Sequence, residues 1–74
     1  MDRIVKNSDI ERYIDEYIHS ERDRSILKRR MIDGITFEKI AEEFEMSPRR
    51  IKAIIYKKQD KILLIMDRDG ALSL

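Results

Sequence analysis

Residues 37–56, FEKIAEEFEMSPRRIKAIIY, decide the fold of this 74-residue chain. An apolar stripe recurs there at i, i+3, i+4 and i+7, the spacing of one face of an α-helix, at Phe37, Ile40, Ala41 and Phe44. Ser47 and Pro48 then supply an N-cap oxygen and a proline at the first helical position, which together open a second helix. The inward face of that helix is apolar again, at Ile51, Ile54 and Ile55. The stretch therefore predicts two short helices joined by a tight turn.

The order of small and large apolar residues around the turn is typical of a helix-turn-helix. In that motif the helix axes nearly touch, so the first helix needs a small residue at the crossing, and Ala41 occupies that place. The motif also requires apolar residues one helical turn after the crossing, just after the connecting turn, and at two positions on the inner face of the second helix. The chain has Phe44, Met46, Ile51 and Ile54 at these positions. Glu45 stands where a left-handed residue, commonly glycine, makes the turn, and a non-glycine residue there costs about 1 kcal/mol. An αα-corner with an ordinary core is the alternative.

Two further helices are predicted before this stretch. Residues 8–18 carry one apolar stripe, with Ser8 or Asn7 as the N-cap. Residues 21–33 follow a cap at Ser20 and end near Gly34, a residue suited to the left-handed position after a helix. Thr36 caps the helix over 36–45, and the last helix spans 48–61. The prediction is a single all-α, four-helix helix-turn-helix domain over residues 1–74, with a C-terminal extension over 62–74.

The start of that extension, residues 62–66 (ILLIM), is apolar on every side. It either continues the fourth helix or forms a strand, because a short apolar run fits both periodicities. Such a segment cannot face water around its whole circumference, so it is buried in the domain or against another chain. In the second case we expect a homodimer through Ile62, Leu63, Leu64, Ile65 and Met66.

The composition narrows the class of protein. Two glycines and one proline are too few for a β-sandwich or a disordered linker, and the absence of cysteine fits a reducing compartment. No apolar run approaches the ~20 residues that span a bilayer, and the N-terminus does not resemble a signal peptide. His19 is the single histidine, and there is no phosphate-binding glycine loop or metal-ligand spacing. We therefore expect a cytoplasmic protein that is not an enzyme, needs no cofactor or metal, and does not bind membranes.

Positive charge is concentrated in one segment. The chain has a formal net charge of +1, but residues 47–61 contain six basic residues and one acidic residue, a net charge of +5. This distribution is typical of a protein that binds a polyanion, and a solvated helix face that aids solubility is the alternative. A second basic run, Lys28 to Arg30, either contacts a phosphate backbone or complements the dipole of its own helix, and we favour the dipole.

Rotating the fourth helix so that its isoleucines point inward assigns roles to the outward residues. Side chains early in the helix can enter a DNA major groove about 12 Å wide, where arginine donates two hydrogen bonds to guanine. The candidate base-reading residues are Pro48, Arg49, Lys52 and Ala53. Flanking groups reach phosphates, and the helix N-terminus favours another one. The candidate phosphate-binding residues are Ser47, Arg50, Tyr56, Lys57 and Lys61, and for Tyr56 a packing role is equally expected.

The chain resembles region 4 of the sigma-70 type of transcription initiation factors, and related small helix-turn-helix proteins of bacteria and phages. The residues that carry the likeness are Arg24-Ser-Ile-Leu27, Arg30-Met-Ile-Asp-Gly34, Thr36-Phe-Glu-Lys-Ile-Ala41 and Met46-Ser-Pro-Arg-Arg-Ile51. In that family the start of the last helix reads the promoter −35 element. The resemblance implies base contacts from Pro48, Arg49 and Ala53, and phosphate contacts from Arg50, Lys52 and Lys57. It also makes RNA polymerase a candidate partner.

The function expected from the sequence is sequence-specific binding of double-stranded DNA by a small transcriptional regulator. The alternative is a protein-interaction or assembly module of the same fold, as in phage packaging or an RNA-polymerase-associated subunit, with residues 62–66 as its docking surface. The two are compatible, because helix-turn-helix proteins usually act as dimers on half-sites one DNA turn apart.

Overall fold

The computed structural model describes residues 6–70. Within that range the chain is all-helical, with four α-helices and no strand: α1 (Asn7–Tyr17), α2 (Glu21–Met31), α3 (Phe37–Phe44) and α4 (Pro48–Arg68). The predicted all-α class is confirmed. The ends of the predicted 1–74 domain, and residues 71–74 of the predicted extension, lie outside the described residues.

Three of the helices begin at the predicted caps. The hydroxyl oxygens of Ser20, Thr36 and Ser47 accept hydrogen bonds from backbone amides three residues onward, at 3.3, 3.2 and 3.2 Å. The cap predicted for α1 at Asn7 or Ser8 is wrong. α1 already includes Asn7, and Lys6 stands at the N-cap, where its side chain makes no capping hydrogen bond. Lysine has no acceptor oxygen, so this end of the helix lacks the stabilisation that the other three have.

Two residues with positive φ end the middle helices. Gly34 has φ +70°, just beyond the end of α2, and Glu45 has φ 55° and ψ 46° at the C-cap of α3. The Met46 amide donates to the Ala41 carbonyl at 2.9 Å, which satisfies one of the carbonyls left free at the end of α3. Both residues adopt the left-handed conformation predicted for them, and α3 and α4 are separated by a turn over residues 45–47.

The core lies where α4 crosses the other three helices. Within residues 6–70, α4 contacts α1, α2 and α3, whereas α1 and α3 do not contact each other. The buried apolar side chains come from all four helices and the residue after α1: Tyr13, Ile14, Ile18, Ile26, Leu27, Ile40, Ala41, Ile51, Ile55, Ile62 and Met66. α4 is therefore both the central packing element and the carrier of the basic segment.

α4 continues to Arg68, seven residues beyond the end predicted at residue 61. Residues 62–66 thus continue the helix, the first of the two alternatives. Ile62 and Met66 are completely buried and extend the inward line of Ile51 and Ile55, while Leu64 on the other side is 71% exposed. The domain itself buries one side of the apolar run.

Ion pairs link the three helices that precede α4 in the chain. The Arg29 guanidinium makes two hydrogen bonds to the Glu43 carboxylate, at 3.0 and 2.6 Å, and thereby joins α2 to α3. The Lys28 ammonium lies 2.7 Å from a carboxylate oxygen of Asp15 and 3.6 Å from one of Glu11, and these ion pairs join α2 to α1. In residues 6–70, no helix has the combination of length and apolar character that crossing a membrane requires.

Candidate nucleic-acid interface

The predicted interface residues all lie on the surface, at the cap of α4 and on its outward side from the first turn to Lys61. The buried Ile51 and Ile55 hold this helix against the core, so Lys52 and Ala53 between them point outward, while Ile54 packs at the edge of the core. Every base-reading and phosphate-binding candidate is exposed: Ser47, Pro48, Arg49, Arg50, Lys52, Ala53, Tyr56, Lys57 and Lys61. The orientation assumed for the interface, with isoleucines inward and cations outward, is the orientation found.

The arginines and most of the lysines of this surface face solvent without a carboxylate partner among residues 6–70. In the part of the chain that the structure describes, Arg49, Arg50, Lys57 and Lys61 form no ion pair. The first turn of α4 contains no acidic residue. Their charge is therefore directed to solvent and is available to a polyanionic ligand.

The second basic run, Lys28 to Arg30, is engaged within the domain. The hydrogen bond to Asp15 raises the pKa of Lys28, and the hydrogen bond from Arg29 lowers the pKa of Glu43. Arg30 donates to the Ile35 carbonyl at 3.0 Å. Beyond complementing the helix dipole, these cations thus hold α2 against α1, α3 and the connecting segment.

Phe37 organises the edge of the interface where α3 meets α4. The Arg30 guanidinium carbon lies 4.2 Å from the centroid of the Phe37 ring, and the Lys52 ammonium lies 5.6 Å from it. The Tyr56 ring meets the Phe37 ring edge-on, with centroids 5.7 Å apart. Cation–π and aromatic contacts of this kind restrict the side chains of Lys52 and Tyr56. Tyr56 is nonetheless 55% exposed, so it both packs and remains accessible.

The N-terminus of α4 offers fewer free donors than a helix end usually does. Pro48 has no N–H, the Arg50 amide donates to the Ser47 hydroxyl oxygen, and the Ile51 amide donates to the Ser47 carbonyl. The Arg49 amide is left without a partner among the described residues. Together with the hydroxyl hydrogen of Ser47, it can donate to one oxygen of a phosphate placed at this end.

A second surface feature, which the sequence did not predict, lies further along α4. A groove of about 630 Å³ separates the C-terminal half of this helix from the end of α1. It is lined by Tyr17, Lys57, Lys58, Asp60, Lys61, Leu64, Ile65 and Arg68. Leu64 and Arg68 follow Lys57 and Lys61 at helical spacing, so the α4 residues of the groove could have been predicted if the helix had been extended past residue 61. The contribution of Tyr17 could not have been predicted from sequence, because it depends on how α1 packs against α4.

The predicted homodimer surface is reduced by the fold. Ile62 and Met66 are completely buried within the domain, so neither can face a second copy. Leu64 is exposed, and Leu63 and Ile65 are half-buried. Only those three residues of the predicted five can reach a partner.

Comparison of the chain with protein-family models, with curated proteins and with solved structures gives no significant match. The likeness to sigma region 4 therefore rests on the sequence motifs between Arg24 and Ile51 alone.

Proposed function

We propose that this protein binds double-stranded DNA, with α3, the turn over residues 45–47 and α4 acting as a helix-turn-helix, and that it serves as a small transcriptional regulator. The observation that carries the proposal is the exposed cationic surface of α4 from Arg49 to Lys61, whose arginines and lysines form no ion pair within residues 6–70. Other basic residues of the same domain, such as Lys28 and Arg29, have carboxylate partners.

The arrangement divides into two kinds of contact. Arg49 and Ala53 lie one turn apart on the outward side of α4, so both can reach base edges when the start of the helix enters the major groove. Arg50, Lys57 and Lys61 lie on the adjacent side, in position for phosphates along one groove wall. Lys52 lies over the Phe37 ring, and this contact fixes the direction from which it would reach the DNA.

The turn supports the same proposal. A helix-turn-helix needs a small residue at the crossing and a left-handed residue in the turn. Ala41 is buried in the core between α3 and its neighbours, and Glu45 has φ 55°. The short turn and its cap at Ser47 thus begin α4 directly after α3, and the outward side of its first turns is left exposed.

Selection of bound duplexes from a random pool, followed by binding measurements on two variants, tests the proposal. We expect Arg49→Ala to reduce discrimination at one base pair by about 1–3 kcal/mol, because the bidentate contact to guanine is lost. Arg50→Ala removes a phosphate contact, so it should weaken all sequences alike.

Lys6→Ala is the matched control, because Lys6 is an exposed cation at the opposite end of the described chain. It should bind like the parent. The proposal fails if the pool yields no enriched sequence, or if both α4 variants bind DNA as the parent does.

A further inference from the structure

We propose that the groove between α1 and the C-terminal half of α4 binds an acidic amphipathic helix of a partner protein. This inference does not depend on DNA binding. It rests on a groove that is lined by apolar side chains and by cations that form no ion pair within residues 6–70. Of the predicted DNA-contacting residues, only Lys57 and Lys61 line this groove.

The floor of the groove is apolar and partly open to solvent. Leu64, one turn before the end of α4, is 71% exposed, and Ile65 and Tyr17 in the same groove are half-buried. Of the large hydrophobic residues in the described range, only Leu64 and Tyr56 are exposed, and Tyr56 is already packed against Phe37. Three apolar side chains that line one groove, with charged residues around them, form a surface on which another macromolecule can dock.

The rim of the groove determines the charge of that partner. Four cations, Lys57, Lys58, Lys61 and Arg68, line it together with a single acidic residue, Asp60. No ion pair involving these four side chains occurs within residues 6–70. An acidic partner would supply the missing counter-charges, and electrostatic complementarity of this kind raises the association rate and rejects basic competitors.

An amphipathic helix fits the shape better than a second copy of the chain does. A helix places apolar side chains at i, i+3, i+4 and i+7, which can lie along Leu64, Ile65 and Tyr17. Acidic residues before and after them can then face Lys61 and Arg68, which lie one turn to either side of Leu64 on α4. In a two-fold dimer through the same face, each copy would present its own cations to those of the other. Such like-charge contacts are unfavourable.

The groove is separated from the base-reading surface along α4. Leu64 follows Ala53 by eleven residues, and the helix rise places the two about 16 Å apart along the axis. Lys57 and Lys61 belong to both surfaces, whereas Lys58, Leu64 and Arg68 belong to the groove alone. Substitutions at the latter three therefore separate partner binding from DNA binding.

The test is selection of 16-residue peptides from a random displayed library against the full chain. The enriched peptides should be net negative, with leucine or phenylalanine spaced three and four residues apart. When added to isotope-labelled protein, they should shift the amide resonances of Tyr17, Leu64 and Ile65. We expect Leu64→Ser to weaken their binding about tenfold or more, as expected for a central apolar anchor. The double variant Lys58→Glu and Arg68→Glu should abolish the preference for acidic peptides.

Lys6→Glu reverses a charge outside the groove, so it controls for the change in net charge and should leave peptide affinity unchanged. Arg49→Ala should bind the peptides normally, and Leu64→Ser should bind DNA normally, so the two proposals fail separately. The groove assignment is overturned if the peptides are basic or map elsewhere, if none is enriched, or if sedimentation shows that the parent dimerises and Leu64→Ser abolishes the dimer.

Discussion

Glu45 carries the conformational strain of the turn that precedes α4. It adopts φ 55° and ψ 46°, a left-handed conformation in which an L-residue with a β-carbon is disfavoured. The chain keeps it there because the Met46 amide reaches the Ala41 carbonyl only when the backbone reverses at this point. We expect Glu45→Gly to raise the free energy of unfolding by about 0.5–1 kcal/mol, measured by urea denaturation.

Gly34 provides the matched comparison. Its φ is +70°, and a β-carbon added there would meet no atom within 4 Å, so only backbone strain opposes a side chain. Gly34→Ala should therefore lower the free energy of unfolding by about 1 kcal/mol, and Gly34→Asn by less, because asparagine tolerates this conformation. If Glu45→Gly destabilised the domain instead, the left-handed assignment of Glu45 would be wrong.

The contact between Arg29 and Glu43 makes stability depend on pH. The hydrogen bonds from Arg29 lower the pKa of Glu43, so the folded state holds this carboxylate ionised more strongly than the unfolded chain does. The resulting stabilisation is present above the ordinary glutamate pKa of about 4.3 and is lost as the pH falls through the lower pKa of the folded state.

The variant Glu43→Gln should accordingly melt a few degrees below the parent at pH 7. The difference in Tm should shrink as the pH is lowered through the acidic range and disappear once Glu43 is protonated in both states. A difference in Tm that stayed constant down to the most acidic pH would show that the amide disturbs packing and that the charge is not the cause.

At the scale of the helices, the caps and turn residues were predictable from sequence because they act locally. Ser20, Thr36 and Ser47 each bond an amide three residues away, and the conformations of Gly34 and Glu45 follow from where the apolar stripes stop. The start of α1 was mispredicted because Asn7 and Ser8 have equally good capping side chains, and local pattern gave no reason for the helix to begin earlier.

The length of α4 was harder to predict because residues 62–66 have no polar side. Which of these residues is inward depends on α1, which packs against α4 from a distant part of the sequence. The position of Arg30 over Phe37 is similarly non-local, since it requires α2 and α3 to be placed first. Sequence pattern located the exposed candidates of the interface, but their aromatic support and the groove beside α1 depended on tertiary packing.

The two sides of this segment should respond differently to truncation. Ile62 is completely buried, so Ile62→Ala should lower the free energy of unfolding by about 2–5 kcal/mol through lost burial and a residual cavity. Leu64→Ala should change it by no more than about 0.5 kcal/mol, because Leu64 is exposed. Urea denaturation of both variants measures the contrast. Equal losses would mean that α4 does not continue through residue 66 in this orientation.

At the scale of the whole molecule, the proposed DNA binding depends on the distribution of charge more than on its sum. The net charge is only +1, and the acidic residues of the first three helices are largely exposed or paired with Lys28 and Arg29. Among the described residues, the positive charge that forms no ion pair is concentrated along α4, first beside the candidate base-reading residues and then around the groove. A nearly neutral protein can thus present one face to a polyanion without attracting it from all sides.

The salt dependence of binding to duplex DNA tests this account most directly. With Arg50, Lys57 and Lys61 each neutralising a phosphate, the logarithm of the binding constant should fall against the logarithm of the salt concentration with a slope of about −3 or steeper. Replacing Arg50 by glutamine should make that slope less steep by about one, whereas Lys6→Gln should leave it unchanged. A slope near zero, or one that Arg50→Gln does not alter, would contradict the claim that the cationic face of α4 holds DNA.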